Sequence, residues 1–255
     1  MLNLVKQEMF KLTKKKSTWV EIIVLLVLQT FVAGFVKSSS NLSAGVYFHQ
    51  GFYGFQLVLF FLLAAAASII TSEFEYGTIK NLFYQEYNRG QVLASKWITM
   101  LCYALFLYVL VVFSSLLLKL VLFPSLNLTA TTGFNGSNLI VNFLEFHSAQ
   151  LVTNLLLISL VMLVANLFTN STIAVSVGII GYFIASLASV SIGSLINRWE
   201  WFKWNPLTML DYPVLVNQGV AHLDKLSASQ MLTGNLVYMG IFLLLGYVAF
   251  NRRNV

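Results

Sequence analysis

Six long apolar stretches, each of about 18 residues or more, constrain the fold of this chain more than any other feature of its sequence. A helix of roughly 20 residues crosses ~30 Å of hydrocarbon. Only 9% of the residues are charged, whereas soluble domains have about 25%. We therefore predict an all-α polytopic membrane protein with six transmembrane helices. The predicted spans are Trp19–Val36, Phe52–Thr71, Trp97–Phe123, Ala149–Phe168, Thr172–Ile192 and Met231–Phe250.

The distribution of basic residues predicts the orientation of these spans. With the N-terminus in the cytoplasm, ten of the 15 lysines and arginines lie inside and five lie outside. The five tryptophans begin or follow predicted spans, as expected for residues at the membrane interface. We therefore predict a multi-pass protein of the plasma membrane with both termini in the cytoplasm.

Composition and motifs argue against several other classes of protein. The net charge is +6, but the basic residues are dispersed along an apolar chain, so no nucleic-acid partner is expected. Cys102 is the single cysteine and has no partner for an intrachain disulfide. The sequence contains no Gly-x-x-x-x-Gly-Lys-Ser/Thr motif for ATP. His49, His147 and His222 are far apart in sequence, so we expect no metal, no cofactor and no catalytic residues.

Residues 1–16 precede the first span and form a basic amphipathic segment. Leu2, Val5, Met9 and Leu12 recur at helical spacing among five lysines. Such an interfacial helix suits the headgroup region of an anionic leaflet, so membrane lipid is an expected partner. Two interpretations stay open. The segment either only sets the topology, or it is an elbow helix that lies along the inner surface and contacts a cytoplasmic partner.

The segment after the second span contains the most informative polar and charged residues of the chain. Ser72 and Glu75 have the spacing of a capping box, which predicts that a new helix begins as the chain leaves the membrane. Gly77 is a candidate position for a kink in that helix. The charges alternate in sign, which is typical of a solvated surface or of a polar socket on another protein. A plain connecting loop is the alternative.

The same segment resembles a known signature. The run Glu-Phe-Glu-Tyr-Gly-Thr at 73–78, followed by Arg89 and Lys96, resembles the cytoplasmic motif of the type-2 family of ABC exporter permeases. That family typically shows Glu-x-Glu-x-Gly-Thr, a Pro-x-Ser-Arg turn and a lysine that opens the third span. Glu86 and Asn88 depart from this pattern, because proline and serine are usual there. The six spans and the amphipathic leader extend the resemblance over the whole chain.

The resemblance implies a single transmembrane permease domain over residues 1–255, in which residues 1–16 form a connecting helix. It also implies a cytoplasmic coupling helix between spans two and three, seated on a separate ABC ATPase subunit. Known assemblies of this family pair two permeases, so the resemblance also implies a second permease subunit as a partner. The positions that match the coupling motif are Glu73, Glu75, Gly77, Thr78, Arg89 and Lys96.

The fifth predicted span has a small residue at every fourth position, which we call the small-residue ridge: Gly181, Ala185, Ser189 and Gly193. Such a ridge lets another helix approach closely. Packing within the chain is one interpretation. The resemblance implies another, in which the ridge lies at the interface between two permeases, identical or different.

Few polar residues fall within the spans. We expect Gln29 and Asn154 to form hydrogen bonds between helices. Glu21 and Lys119 lie near span ends, where long side chains reach the interface. An ion-coupled secondary carrier is therefore the weaker alternative, because such carriers use ionisable groups near the midplane. A non-transporting membrane scaffold or sensor is a further alternative.

The resemblance therefore leads us to expect the permease subunit of an ATP-driven ABC exporter. A largely apolar path without ionic ligands suits an amphipathic peptide or a lipid-like substrate, such as an antimicrobial or cytolytic peptide. ATP hydrolysis is expected in the separate partner chain. The outer loop 197–230 is expected to form short interfacial or re-entrant helices that cover the exit.

Overall fold

The computed structural model describes residues 1–77, 87–131, 136–218 and 225–252. These residues form nine α-helices with short 3-10 helices between some of them. The α-helices are α1 Leu2–Lys14, α2 Lys16–Ser38, α3 Ala44–His49, α4 Gly54–Glu75, α5 Arg89–Leu122, α6 Leu139–Ala165, α7 Ser171–Arg198, α8 Tyr212–Gln218 and α9 Ala228–Arg252.

Six of these helices, α2, α4, α5, α6, α7 and α9, are long and apolar enough to cross a membrane. This confirms the prediction of an all-α polytopic membrane protein with six candidate spans. Two helices begin well before the apolar runs that predicted them. α5 begins at Arg89 rather than Trp97, and α6 begins at Leu139 rather than Ala149. Hydropathy marks the part of a helix that suits hydrocarbon, whereas polar residues continue the helix into the interface.

The end of α4 differs from the sequence-based expectation. Ser72 and Glu75 do not form a capping box, because α4 continues without a break to Glu75. Tyr76 N–H donates to Ser72 O, and Gly77 follows with a φ of 65°, a left-handed conformation that commonly ends a helix. The remainder of the predicted coupling helix, at 78–86, lies outside the described residues.

Helices α4 and α6 form the centre of the bundle. In their most apolar windows, 67% of α4 and 56% of α6 are buried, against 22% for α2 and 11% for α7. The alanine-rich middle of α4, residues 64–67, lets neighbouring helices approach closely. Leu62 of α4 and Leu107 of α5 are fully buried in the resulting core. The outer helices α2 and α7 therefore keep most of their apolar surface exposed.

The beginning and the end of the described chain lie at the same end of the bundle. Leu4 of α1, Val92 of α5 and Phe250 of α9 pack together in a separate apolar cluster. The end of α4 also reaches this cluster, because Phe74 packs against it. An even number of spans produces this arrangement. Assignment of this end to the cytoplasm rests on the count of basic residues.

The opposite end of the bundle is built from short helices. A 3-10 turn at Gly51–Tyr53 connects α3 to α4, and Phe52 adopts a φ of 48° while its side chain stays buried. Two further 3-10 helices, Glu200–Trp204 and Thr208–Asp211, lead into α8. Within the described part of the loop 197–230, these elements agree with the expectation of short helices. Asn235 of α9 donates a hydrogen bond to Met209 O at 3.2 Å, which connects the 3-10 helix Thr208–Asp211 to α9.

Two buried amides connect the spans, as predicted. Gln29 of α2 donates to Gly51 O at 3.0 Å and to Ser115 Oγ at 3.2 Å, and it accepts a hydrogen bond from Ser114. Asn154 of α6 donates to the hydroxyl of a tyrosine in α5 at 2.8 Å. Such bonds are worth on average about 0.6 kcal/mol in a membrane, so they orient the helices more than they stabilise them.

We predict that Gly54→Ala disturbs the Gln29 contacts. A Cβ at Gly54 would lie 2.6 Å from Gln29 Nε2 and 2.9 Å from Val111 Cγ1, so neighbours must move. Overpacking of this kind lowers the free energy of unfolding by about 1–3 kcal/mol. Gly34→Ala is the control, because a Cβ at Gly34 meets nothing within 4 Å. Thermal unfolding of both variants in one detergent provides the comparison, and equal melting temperatures would contradict the prediction.

Candidate functional site

A cluster of four charged side chains joins α1 to the adjacent ends of α4 and α5. We call Glu8, Lys11, Glu73 and Lys96 the ion-pair cluster. Lys96 Nζ lies 3.2 Å from Glu8 Oε2 and 2.9 Å from Glu73 Oε1. Lys11 Nζ lies 2.6 Å from Glu8 Oε1 and 2.9 Å from Glu73 Oε1. Each carboxylate therefore contacts both ammonium groups.

Lys96 is the most deeply buried member of the ion-pair cluster. Only 1% of its side chain is exposed, and its Nζ also donates to Ile69 O at 3.0 Å. A buried ammonium is tolerated only when charged or polar partners replace the water that it loses. Glu73 from α4 and Glu8 from α1 supply that compensation. The buried charge of Lys96 thus connects three separate helices.

The packing of α1 explains why Glu8 reaches this position. The sequence pattern suggested that Leu2, Val5, Met9 and Leu12 form the apolar face. In the structure the buried stripe is instead Leu4, Glu8 and Leu12, one residue per turn. Glu8 faces inward because it neutralises the buried Lys96. Sequence analysis missed Glu8, although it is the only acidic residue among the first 16.

Lys11 closes the ion-pair cluster on the side that faces solvent. Partial burial acts to lower the pKa of Lys11, but its hydrogen bonds to Glu8 and Glu73 and the charges of both carboxylates outweigh this effect. The pKa of Lys11 is therefore raised above its ordinary value. Lys11 consequently keeps its positive charge at neutral pH, so the two carboxylates and two lysines balance each other.

Glu75 and Arg89 lie outside the ion-pair cluster, and each connects two spans. Glu75 Oε2 accepts a hydrogen bond from Ser171 N at 3.2 Å, at the N-terminus of α7. Arg89 Nη1 donates to Phe250 O at 3.3 Å and to Asn251 O at 2.7 Å, near the C-terminus of α9. An anion at a helix N-terminus and a cation near a helix C-terminus both suit the helix dipole.

Five of the six residues that match the coupling motif are described, and they lie at one end of the bundle but in different environments. Glu73 and Lys96 belong to the ion-pair cluster, whereas Glu75 and Arg89 are placed on neighbouring helix ends. Gly77 ends α4, and Thr78 lies outside the described residues. Their role in coupling stays a prediction.

The small-residue ridge lies on an outer face of α7. Gly181 is exposed, and a Cβ there would meet nothing within 4 Å. Gly178 faces the bundle instead, because its Cβ would lie 3.3 Å from Val161 Cγ1. Ala185 and Ser189 are half-buried, and Gly193 continues the helix. At Gly181, no other part of the described chain occupies the space beside the ridge.

The structure brings two histidines together that are distant in sequence. The rings of His49 and His147 have centroids 6.2 Å apart, and His147 Nε2 lies 2.9 Å from His49 O. His147 also stacks on Phe55 with a centroid separation of 3.5 Å. Partial burial lowers the pKa of His49, while its hydrogen bond to Asn142 acts in the opposite direction. These contacts give both rings a packing role.

Six helices that are long and apolar enough to cross a membrane, joined by charged contacts at one end, define a multi-pass membrane protein. The chain matches the family described as ABC-2 family transporter protein over residues 4–186, and it belongs to that family. This confirms the resemblance to the type-2 ABC permeases. The family is described as one of transporter proteins, and this chain matches its membrane domain.

Two relatives from Bacillus subtilis (strain 168) support this assignment. "Uncharacterized protein YhcI" is 26% identical over 203 residues, which cover 76% of this chain and 64% of the relative. "Uncharacterized membrane protein YdbK" is 28% identical over 200 residues, which cover 75% of this chain and 78% of the relative. The chain thus spans less than two thirds of the length of the first of these relatives.

We predict that Glu73→Gln strongly destabilises the protein, because it removes a carboxylate that faces the buried Lys96. Loss of one partner from a buried ion pair costs about 3–5 kcal/mol. Glu200→Gln is the control, since the pair Lys225–Glu200 at 3.4 Å is exposed and such pairs contribute about 0–1 kcal/mol. Unfolding in detergent measures both effects. An equal loss of stability in the two variants would contradict the prediction, because burial would then not determine how much the ion-pair cluster contributes to the free energy of unfolding.

Proposed function

We propose that the chain is the permease subunit of an ATP-driven ABC exporter and forms the translocation path for an amphipathic substrate. The observation that carries this proposal is the membership of the ABC-2 family together with the charged contacts at one end of the spans. In the proposed orientation this end faces the cytoplasm, where the ATPase subunit binds. Both termini then lie in the cytoplasm as well.

The charged contacts support a route by which movement of an ATPase reaches the spans. Displacement of α1 or of the segment after Glu75 acts on α4 and α5 through the ion-pair cluster. Glu75 extends the route to α7 through its hydrogen bond with Ser171. A second contact, from Thr71 Oγ1 to Ser171 Oγ at 2.9 Å, strengthens this junction. Helices linked in this way move together as one packed element.

The exposed helix faces support an amphipathic substrate, such as an antimicrobial or cytolytic peptide. A shallow, open groove of about 620 Å³ follows the C-terminal half of α2 and is lined by residues of α2 alone, with Phe31 and Phe35 among them. The hydroxyls of Thr30 and Ser38 in the same groove are bonded to backbone carbonyls of α2. The groove therefore presents mainly apolar surface, which suits an acyl chain or the apolar face of a peptide.

The small-residue ridge supports pairing with a second permease. Its Gly181 faces away from the rest of the described chain, and the neighbouring Ile180, Ile184 and Leu187 are exposed. In lipid, close packing at small residues drives helices together more than apolar surface does. A ridge whose Gly181 meets no other described part of the chain suits contact with a second copy or with a related permease.

We predict that Glu75→Lys abolishes stimulation of the ATPase partner while the permease stays inserted and folded. The substitution places a cation beside the N-terminus of α7, where the helix dipole disfavours it, and removes the bond to Ser171. The measurement is the ATPase activity of the copurified complex in liposomes. Glu145→Lys provides the control, because Glu145 is exposed near the other end of the bundle.

Comparable loss in both Glu75→Lys and Glu145→Lys would indicate a general effect of charge. Full ATPase stimulation and export in Glu75→Lys would show that this segment does not couple the subunits. Failure of the purified chain to bind any P-loop ATPase would instead favour the carrier or scaffold alternatives.

We predict that Gly181→Leu weakens the permease dimer, because a large side chain separates the two helices at the ridge. The expected loss is on the order of 1–3 kcal/mol, as for an overpacked core. Gly240→Leu is the matched control, since Gly240 is an exposed glycine of α9 whose Cβ would also meet nothing within 4 Å. Cross-linking of an Ala185→Cys background measures association. A dimer unaffected by Gly181→Leu would place the ridge outside the interface.

A further inference from the structure

A cleft opens beside the ion-pair cluster, between α1 and the end of α4. Its volume is about 390 Å³, within the range of roughly 300–1,000 Å³ typical of small-molecule sites. One wall carries Lys11, Leu12 and Lys15 from the last turn of α1 and the residue after it. The other wall includes Ser68 and Ser72 of α4. The cleft thus combines cations, the carboxylates of Glu8 and Glu73, hydroxyl groups and apolar carbons.

Lys15 provides the cation at the mouth of the cleft, and its charge also acts on the carboxylate of Glu21 in α2. In the floor, Glu8 and Glu73 are matched by Lys11 and Lys96. Lys15 lies beyond ion-pair distance of every described carboxylate, and its Nζ donates to Ser68 Oγ at 3.1 Å. Ser68 Oγ in turn donates to Ala65 O at 3.2 Å, so Ser72 supplies the hydroxyl donor of the cleft. A cation beside a hydroxyl donor favours an anion with several acceptor oxygens, and phosphate is the common biological group of this kind.

The position of the cleft favours a lipid as the source of that phosphate. Lys15 forms the elbow between α1 and α2. Trp19 Nε1 donates to Thr13 O at 2.9 Å across this elbow, and the Trp19 ring is exposed. Tryptophan concentrates at the membrane interface, and the exposed Val20 and Ile23 that follow face hydrocarbon. The cleft therefore opens at the depth of the lipid headgroups.

We propose that this cleft binds the headgroup phosphate of an anionic phospholipid from the leaflet that contacts α1. Lys15 binds the phosphate, and the hydroxyl of Ser72 donates a hydrogen bond to it. Leu12 and Ile69 line the cleft with apolar surface that contacts the glycerol and the start of an acyl chain. The bound lipid bridges α1 and α4, so it reinforces the junction that the ion-pair cluster makes.

The proposal rests on the geometry of the α1–α4 junction and not on transport. Lys15→Gln is the test variant, and Lys16→Gln is the matched control. Lys16 is the next residue, carries the same charge and is exposed, but it does not line the cleft. The purified full-length chain in detergent is titrated with phosphatidylglycerol, and bound lipid is counted by native mass spectrometry. Phosphatidylcholine and glycerol phosphate are titrated in parallel.

We expect Lys15→Gln to weaken binding of phosphatidylglycerol about tenfold, because a charge-assisted hydrogen bond is lost. Binding to Lys16→Gln should equal that of the unsubstituted chain. An equal loss in both variants would overturn the proposal in favour of general attraction to the basic segment, and no loss in either would also overturn it. Glycerol phosphate that binds as tightly as the lipid would show a site for soluble phosphate instead.

Ser72→Ala provides a second test that keeps every charge in place. It removes one hydroxyl from the wall of the cleft, and we expect binding of phosphatidylglycerol to weaken severalfold. Ser39→Ala is the control, because Ser39 lies at the opposite end of α2. Undiminished binding in Ser72→Ala would exclude this hydroxyl from the site, and it would overturn the arrangement if Lys15→Gln also binds normally.

Discussion

The buried ammonium of Lys96 determines the arrangement of one end of this protein. With 1% of its side chain exposed, Lys96 requires negative partners, and the two that it finds come from different helices. Glu8 brings α1 against α5, and Glu73 brings the end of α4 to the same point. Removal of either carboxylate would leave a buried charge under-compensated, which costs far more than the net stability that an intact pair contributes. The position of α1 therefore depends on this charge.

The rest of the bundle is held together differently. Within the spans, neutral contacts such as those of Gln29 and Asn154 orient the helices, and alanines of α4 allow close packing. Helices α4 and α6 are mostly buried, whereas α2 and α7 keep large apolar faces. The protein thus has a charged, tightly connected end and two outer helices whose faces are available to lipid, substrate or a partner subunit. This division suits the proposed coupling, in which an ATPase acts on the charged end.

Much of the fold was predictable because membrane insertion depends on local composition. Six apolar runs predicted six candidate spans, and the motif around Glu73 and Lys96 indicated the ABC-2 family, which the family match over residues 4–186 confirms. The prediction of a capping box at Ser72 was wrong, because α4 continues from the preceding apolar run through that position to Glu75. The apolar face of α1 was also misjudged. A hydrophobic pattern assigns inward positions to apolar residues, and Glu8 is an exception created by a distant lysine.

The sequence by itself determined the number of candidate spans, the polar segments that connect them and the family. Each of these depends on residues that are close together in the chain. Only the tertiary structure decided which charges meet. Glu8 and Lys96 are 88 residues apart, and Glu75 and Ser171 are 96 residues apart. Their pairing depends on how α1, α4, α5 and α7 pack, and helical periodicity within one segment carries no information about the partner of a residue in another. The same reason explains why Gly181 of the ridge faces outward while Gly178, three residues earlier, packs against α6.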